Sequence, residues 1–170
     1  MFERVDPLAH NDELLALHLE YLDWMSERFE ALHGLSLAGL VGVRLPTIAD
    51  HMVRGLADGG PQGVFYLLKV GDRAAGMGGL RDLGDGAAEM VRIFVRPEFR
   101  GAKRGEALVG RLIEDARAAG FERVLLRSAG FMTSAQRLYE TRGFVDRPPY
   151  EAAGLPAPMV PFVRYMERIL

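Results

Sequence analysis

Between Glu89 and Leu108 the chain reads EMVRIFVRPEFRGAKRGEAL, and this stretch constrains the fold more than any other. A strand pattern runs into Pro97, passes through a basic turn at Gly101, and continues as a helical pattern beyond Gly105. Proline cannot donate to a sheet ladder, so the strand has to stop there. The helix that follows begins with unpaired N–H groups at the positive end of its dipole. A strand, turn and helix start in that order form an anion site, in which a pyrophosphate is held by main-chain donors. Gly101 and Gly105 let the backbone come close, because a β-carbon would compete with phosphate oxygens for space. Arg96, Arg100, Lys103 and Arg104 add local positive charge. The plainer alternative is a solvated basic turn.

The flanking segments give this junction a setting. Upstream, VFYLLKV, AAGMGGLRDL and AAEMVRIFV are separated by turns at Gly71-Asp72-Arg73 and Gly84-Asp85-Gly86, which predicts a three-stranded meander. Downstream, Leu108, Val109, Leu112, Ile113 and Ala116 share one face of a helix that Gly120 ends. FERVLLRS then reads as a buried strand, Thr133 to Arg142 as a helix capped by Gly143, Phe144-Val145 as a strand start, and VPFVRYMERIL as a closing strand. Ahead of the meander, a long helix is expected from Leu8 to about His33, stopped by Gly34. Residues 35–45 are expected to be irregular. Pro46-Thr47 should restart a helix, with Thr47 as its cap, Asp50 completing part of a capping box, and Gly59-Gly60-Pro61 ending it. Five prolines make 148–161 an expected surface loop. At 170 residues, all of this fits one domain spanning 1–170.

Composition narrows the chemistry. There is no cysteine, so no disulfide, thiolate nucleophile or Cys-based metal site is available, and no metal is expected. The net charge of −2 gives no general attraction to nucleic acid. No apolar run approaches the roughly 20 residues that cross a bilayer, and MFERVDPLAH does not read as a signal peptide. A cytoplasmic protein without membrane or nucleic-acid partners is expected. P-loop and dinucleotide-binding glycine patterns are missing, and a meander does not suit a doubly wound sheet.

Taken with MTSAQRLYETRGF at 132–144, the turn resembles two motifs of the GNAT superfamily of acyltransferases. The first is the acyl-CoA pyrophosphate motif, matched at Arg100 and Gly105, with Lys103 where glycine is usual. The second is matched at Ala135, Leu138, Tyr139, Gly143 and Phe144, with Met132 in place of asparagine. The RPPYE and YMERIL segments resemble a small bacterial subgroup. The resemblance covers residues 62–170 well and the first sixty only by order of elements.

It implies an α/β (α+β) fold: one mixed, mostly antiparallel sheet of six or seven strands, flanked by about four helices and splayed between strands four and five. It also implies N-acetyl transfer from acetyl-CoA to a primary amine of a small molecule or peptide. Cofactor contacts would come from Arg100, Gly101, Ala102, Lys103, Arg104, Gly105, Glu106 and Ala107, with a backbone N–H of Phe94 or Val95 facing the oxyanion. Tyr139 would protonate the leaving thiolate, and Glu89 is the candidate general base, a salt bridge to Arg92 or Arg127 being its alternative. Trp24, Met25 and Phe29 could bound the acceptor side, with core packing the expected fate of at least two. His10, His18, His33 and His51 are assigned no role. A non-catalytic acyl-CoA-binding regulatory module on the same fold is the competing function, and a homodimer is compatible with either.

Overall fold

A computed structural model describes residues 1–56, 62–150 and 155–170. Its sheet contains β1 (Phe2–Arg4), β2 (Val64–Val70), β3 (Arg73–Gly84), β4 (Ala87–Val95), β5 (Arg123–Ala129), β6 (Val145–Asp146) and β7 (Val163–Ile169) in the order β1-β2-β3-β4-β5-β7-β6. All neighbours are antiparallel except β4 and β5. The parallel pair is registered only from Ala87 opposite Arg123 to Met90 opposite Leu126. Beyond that point β4 runs on to Val95 and β5 to Ala129 without pairing to each other, which opens the wedge expected of the fold.

Helices α1 (Asn11–His33), α2 (Leu37–Val41) and α3 (Leu45–Arg54) precede the meander, while α4 (Arg104–Ala118) and α5 (Thr133–Thr141) follow it. The apolar positions of α4 are the five read from the sequence, and they are buried with Met90, Leu126 and Tyr139 in one cluster. On the opposite face Leu14 and Leu17 of α1 pack with Leu67, Met77 and Phe94. Gly34 ends α1 in the left-handed conformation, φ 66°. Two expectations in this region are corrected. The stretch 35–45 holds α2, because the Ser36 hydroxyl accepts a bond from the Gly39 N–H at 3.0 Å and caps it. Helix α3 is capped by Arg44 with Pro46 in its first turn, so Thr47 lies inside it, and Asp50 pairs with Arg54 one turn on. The expected stop at Gly59-Gly60-Pro61 lies outside the described residues.

Within the proline-rich stretch, residues 151–154 lie outside the described residues, and its last part is more ordered than a surface loop. Residues 157–162 form a 3-10 turn that buries Met159 against Met25, Phe29 and Ala129.

Strand β4 carries a bulge. Met77 pairs with Phe94 and Gly79 with Val91, leaving Gly78 opposite two residues, Arg92 and Ile93. Arg92 is the extra residue and takes φ 56°. The inserted residue shifts the phase of the strand. Strict alternation would put Phe94 on the face of Met90, yet Phe94 packs with Val91 on the α1 side and Ile93 packs toward α4. Strand β3 accommodates this with glycines: a β-carbon on Gly76 would sit 2.4 Å from the Phe94 carbonyl oxygen.

His18 is fully buried on α1, stacked on Phe65 at 6.0 Å. Its Nδ1 lies 2.7 Å from the Leu14 carbonyl, which assigns the proton to Nδ1 and leaves Nε2 without a partner among the described residues. Burial is the largest cause lowering its pKa, from 6.5 to about 4. The folded state therefore binds fewer protons than the unfolded one below pH 6.5, and stability is lost as pH falls from there toward 4. The loss should reach roughly 3 kcal/mol. Urea unfolding at pH 7.5 and at successively lower pH checks this. His18→Leu should remove most of that slope, and an unchanged slope would refute the assignment.

Candidate active site

The cofactor turn begins where β4 ends. Pro97–Phe99 form one 3-10 turn, Arg100 is extended, Gly101 takes φ 88°, and α4 starts at Arg104 behind Lys103. No side chain caps α4. The Ala107 N–H already donates to the Lys103 carbonyl at 2.9 Å, so the free main-chain donors of the first turn are those of Arg104, Gly105 and Glu106. A β-carbon added to Gly105 would meet nothing closer than Leu138 Cδ2 at 3.9 Å, so the small size of glycine leaves open space above the helix start.

The side chains of this turn are largely committed elsewhere. Arg96 makes a two-pronged ion pair with Glu20 of α1, 2.6 Å on each arm, and also donates to the Ala74 carbonyl. Arg104 donates to the Phe99 carbonyl at 2.8 Å. Glu106 pairs with Arg142 at 2.7 Å and ties α4 to the end of α5. The free donors at this turn are therefore peptide groups, and less side-chain charge is aimed at it than four basic residues led one to expect.

Lys103 has φ 54° and ψ 20°. An L residue in that conformation costs on the order of 1 kcal/mol or more against glycine. Lys103→Gly should accordingly raise stability by about 1 kcal/mol in urea melts, and a loss of stability would contradict the strain.

Two residues were candidates for the oxyanion. The Arg96 N–H donates to the Ala75 carbonyl of β3 at 2.9 Å. Alternation then turns the Phe94 N–H toward β3 and both main-chain groups of Val95 toward the wedge. The Val95 carbonyl accepts a bond from the Arg100 side chain at 2.9 Å, and that guanidinium also lies over the Trp24 ring, 5.6 Å from its centroid. Of the pair, Val95 is the one that faces the open side.

Tyr139 is buried on α5, its ring 5.9 Å from that of Phe144, in the cluster that spans β4, β5 and α4 beneath the wedge. Burial pushes its phenol pKa well up, so it stays protonated throughout the working pH range.

Glu89 lies on the other face, in the wall of a chamber of about 230 Å³. Only 1 % of its side chain is exposed. Its carboxylate accepts from Arg81, from Arg127 Nε at 2.7 Å and from the Tyr150 hydroxyl at 2.9 Å. Of the two arginines named from the sequence, Arg127 is a partner and Arg92 is not; Arg81 takes the other place. Leu22, Met25, Leu37, Val41, Ile48, Met52 and Met159 are among its apolar lining, and Arg81, Arg92 and Arg127 are among its polar lining. Met25 is the one residue of the α1 trio that reaches this chamber: Phe29 is core and Trp24 serves Arg100 and Phe131.

Arg81 and Met159 belong to this wall, and Tyr150 bonds Glu89 in it, without being legible as site residues in the sequence, and Arg92 was legible only as a possible partner of Glu89. Arg92 carried a weak further signal, a charge beside Glu89 in a strand otherwise apolar. The others carried none, since only the tertiary fold brings them to one wall.

The description "Acetyltransferase (GNAT) family" matches residues 18–144. The chain belongs to that family. Among GNAT relatives, an IAA acetyltransferase of Azospirillum brasilense is 30% identical over 124 residues, covering 72% of this chain and 80% of that protein. An uncharacterized N-acetyltransferase of Dictyostelium discoideum is 42% identical over 62 residues, which are 36% of this chain and only 29% of the longer relative. The same fold occurs in an acetyltransferase from Streptococcus agalactiae, with TM-score 0.72 at 19% identity, covering 100% of this chain and 98% of that one. It occurs also in the PaiA N-acetyltransferase from Thermoplasma acidophilum, solved in complex with coenzyme A, with TM-score 0.71 at 14% identity, covering 100% and 98%. Among the described residues of this GNAT protein, no helix is long and apolar enough to cross a membrane.

Proposed function

We propose that this GNAT protein acts in the cytoplasm as an N-acetyltransferase that moves the acetyl group of acetyl-CoA to a primary amine of a small molecule or peptide. The observation that carries this reading is the uncapped start of α4 behind the turn that follows β4, with the Val95 main chain turned to the wedge. Its peptide donors at Arg104, Gly105 and Glu106 suit the pyrophosphate, and Gly101, Ala102 and Lys103 shape the turn that leads to them. The coenzyme supplies a thioester that an uncharged amine can attack. The Val95 N–H faces the carbonyl oxygen as it gains charge. As the carbon–sulfur bond breaks, Tyr139 gives its phenolic proton to the thiolate. The proton that the amine loses goes through water to Glu89, the one carboxylate lining the chamber among the described residues.

Titration calorimetry with acetyl-CoA, together with a thiol-release assay over a panel of amines with IAA beside them, tests this. Micromolar binding with thiol release is the expected result. Binding without release for any acceptor would favour a non-catalytic acyl-CoA-binding module, and no binding would overturn the reading.

A further inference from the structure

Resting on the acyl-transfer reading, we infer that the acceptor amine also carries a carboxylate, which Arg92 holds inside the chamber while the rest of the molecule lies against apolar wall. Arg92 is the inserted residue of the β4 bulge, and its φ of 56° is one that side chains with a β-carbon rarely adopt. Strain of that kind is concentrated where a side chain has to be held in one direction. Arg92 lines the chamber, and its guanidinium has five N–H donors. Among the described residues its one hydrogen-bond partner is the neutral carbonyl of Met52, at 2.9 Å, and no carboxylate stands within ion-pair distance of it. Glu89, the acid on the same wall, is engaged by Arg81, Arg127 and Tyr150 instead. Burial, and after it the charge of Arg81, lower the Arg92 pKa to about 10, which still leaves it cationic at neutral pH.

A part-buried cation satisfied by a single neutral acceptor is costly until an anion completes it. A guanidinium fork matches a carboxylate through two parallel hydrogen bonds, and one such cation calls for one negative charge. The apolar side is equally specific, because Leu22, Met25, Leu37, Ile48 and Met159 offer nothing to a polar substituent. At about 230 Å³ the chamber is also smaller than pockets for drug-sized ligands. An apolar amino acid, or an amino carboxylate of similar size, meets all three conditions.

Calorimetry on the full chain saturated with CoA tests this without relying on turnover. Leucine is compared with isoamylamine, and phenylalanine with phenethylamine, each pair differing by the carboxylate alone. Each acid should bind tighter than its amine by about 10-fold or more, as a charge-assisted pair provides. Arg92→Gln should bring the two members of each pair to within about 3-fold, and Arg92→Lys should restore part of the difference. Acetyl-CoA affinity reports that each variant is folded. Equal binding of acid and amine by the native protein, a preference that survives Arg92→Gln, or no binding of either acid while CoA stays bound would each overturn the inference alone. Failure of the native protein to bind acetyl-CoA would overturn the acyl-transfer reading beneath it.

Discussion

Tyr139→Phe will lower kcat by about 100-fold or more, the scale on which a positioned general acid contributes. The phenol is buried beneath the wedge, and burial raises its pKa, so its proton is present at every pH at which the enzyme would be assayed. Phenylalanine keeps the ring against Phe144 and removes only the donor. Acetyl-CoA affinity should therefore stay within about 2-fold, and stability within about 1 kcal/mol. The loss falls on kcat and not on binding, which is the signature of an interaction made in the transition state. Stopped assays at saturating acetyl-CoA measure it. Unchanged turnover would remove Tyr139 from the mechanism and leave it as a core residue.

The second large effect is on stability. Glu89→Ala should cost about 3–5 kcal/mol, because it strips the shared carboxylate from Arg81 and Arg127, whose side chains are 24% and 15% exposed. Glu89 itself is 1% exposed, so water does little to replace the lost partner. For a chain of this length the melting temperature should fall by roughly 10 °C. Glu89→Gln should cost less, since an amide oxygen still accepts from one of the donors. A melting temperature within two or three degrees of the native value for Glu89→Ala would show that the arginines find other acceptors.

Most of the turn between β4 and α4, the proposed cofactor side, was legible in the sequence because local rules write it. Pro97 ends a strand, Gly101 permits a turn, and the periodicity from Leu108 to Ala116 sets a buried helical face, all within one contiguous stretch. Lys103 stands where the motif has glycine, and its left-handed backbone is the conformation glycine would favour there. The chamber, the proposed acceptor side, was hardly legible. Its wall joins Met25, Met52, Arg92, Arg127 and Met159, residues up to more than a hundred positions apart, and no periodicity records such a meeting. Helix α2 escaped because five residues are too few to show a pattern, and its cap is a single serine hydroxyl. The bulge at Arg92 escaped for a similar reason: one inserted residue inverts the faces of a strand without altering its composition.

The uncapped start of α4 has a consequence for how this protein can change. Its donors are peptide N–H groups, which every residue except proline supplies, so few point substitutions can erase them. The chamber is different in kind, being walled by side chains from α1, α2, α3 and the turn at 157–162, any one of which a single codon can alter. On the proposed reading, new acceptors are therefore reachable by mutating one face of the sheet, while the other goes on holding the same donor.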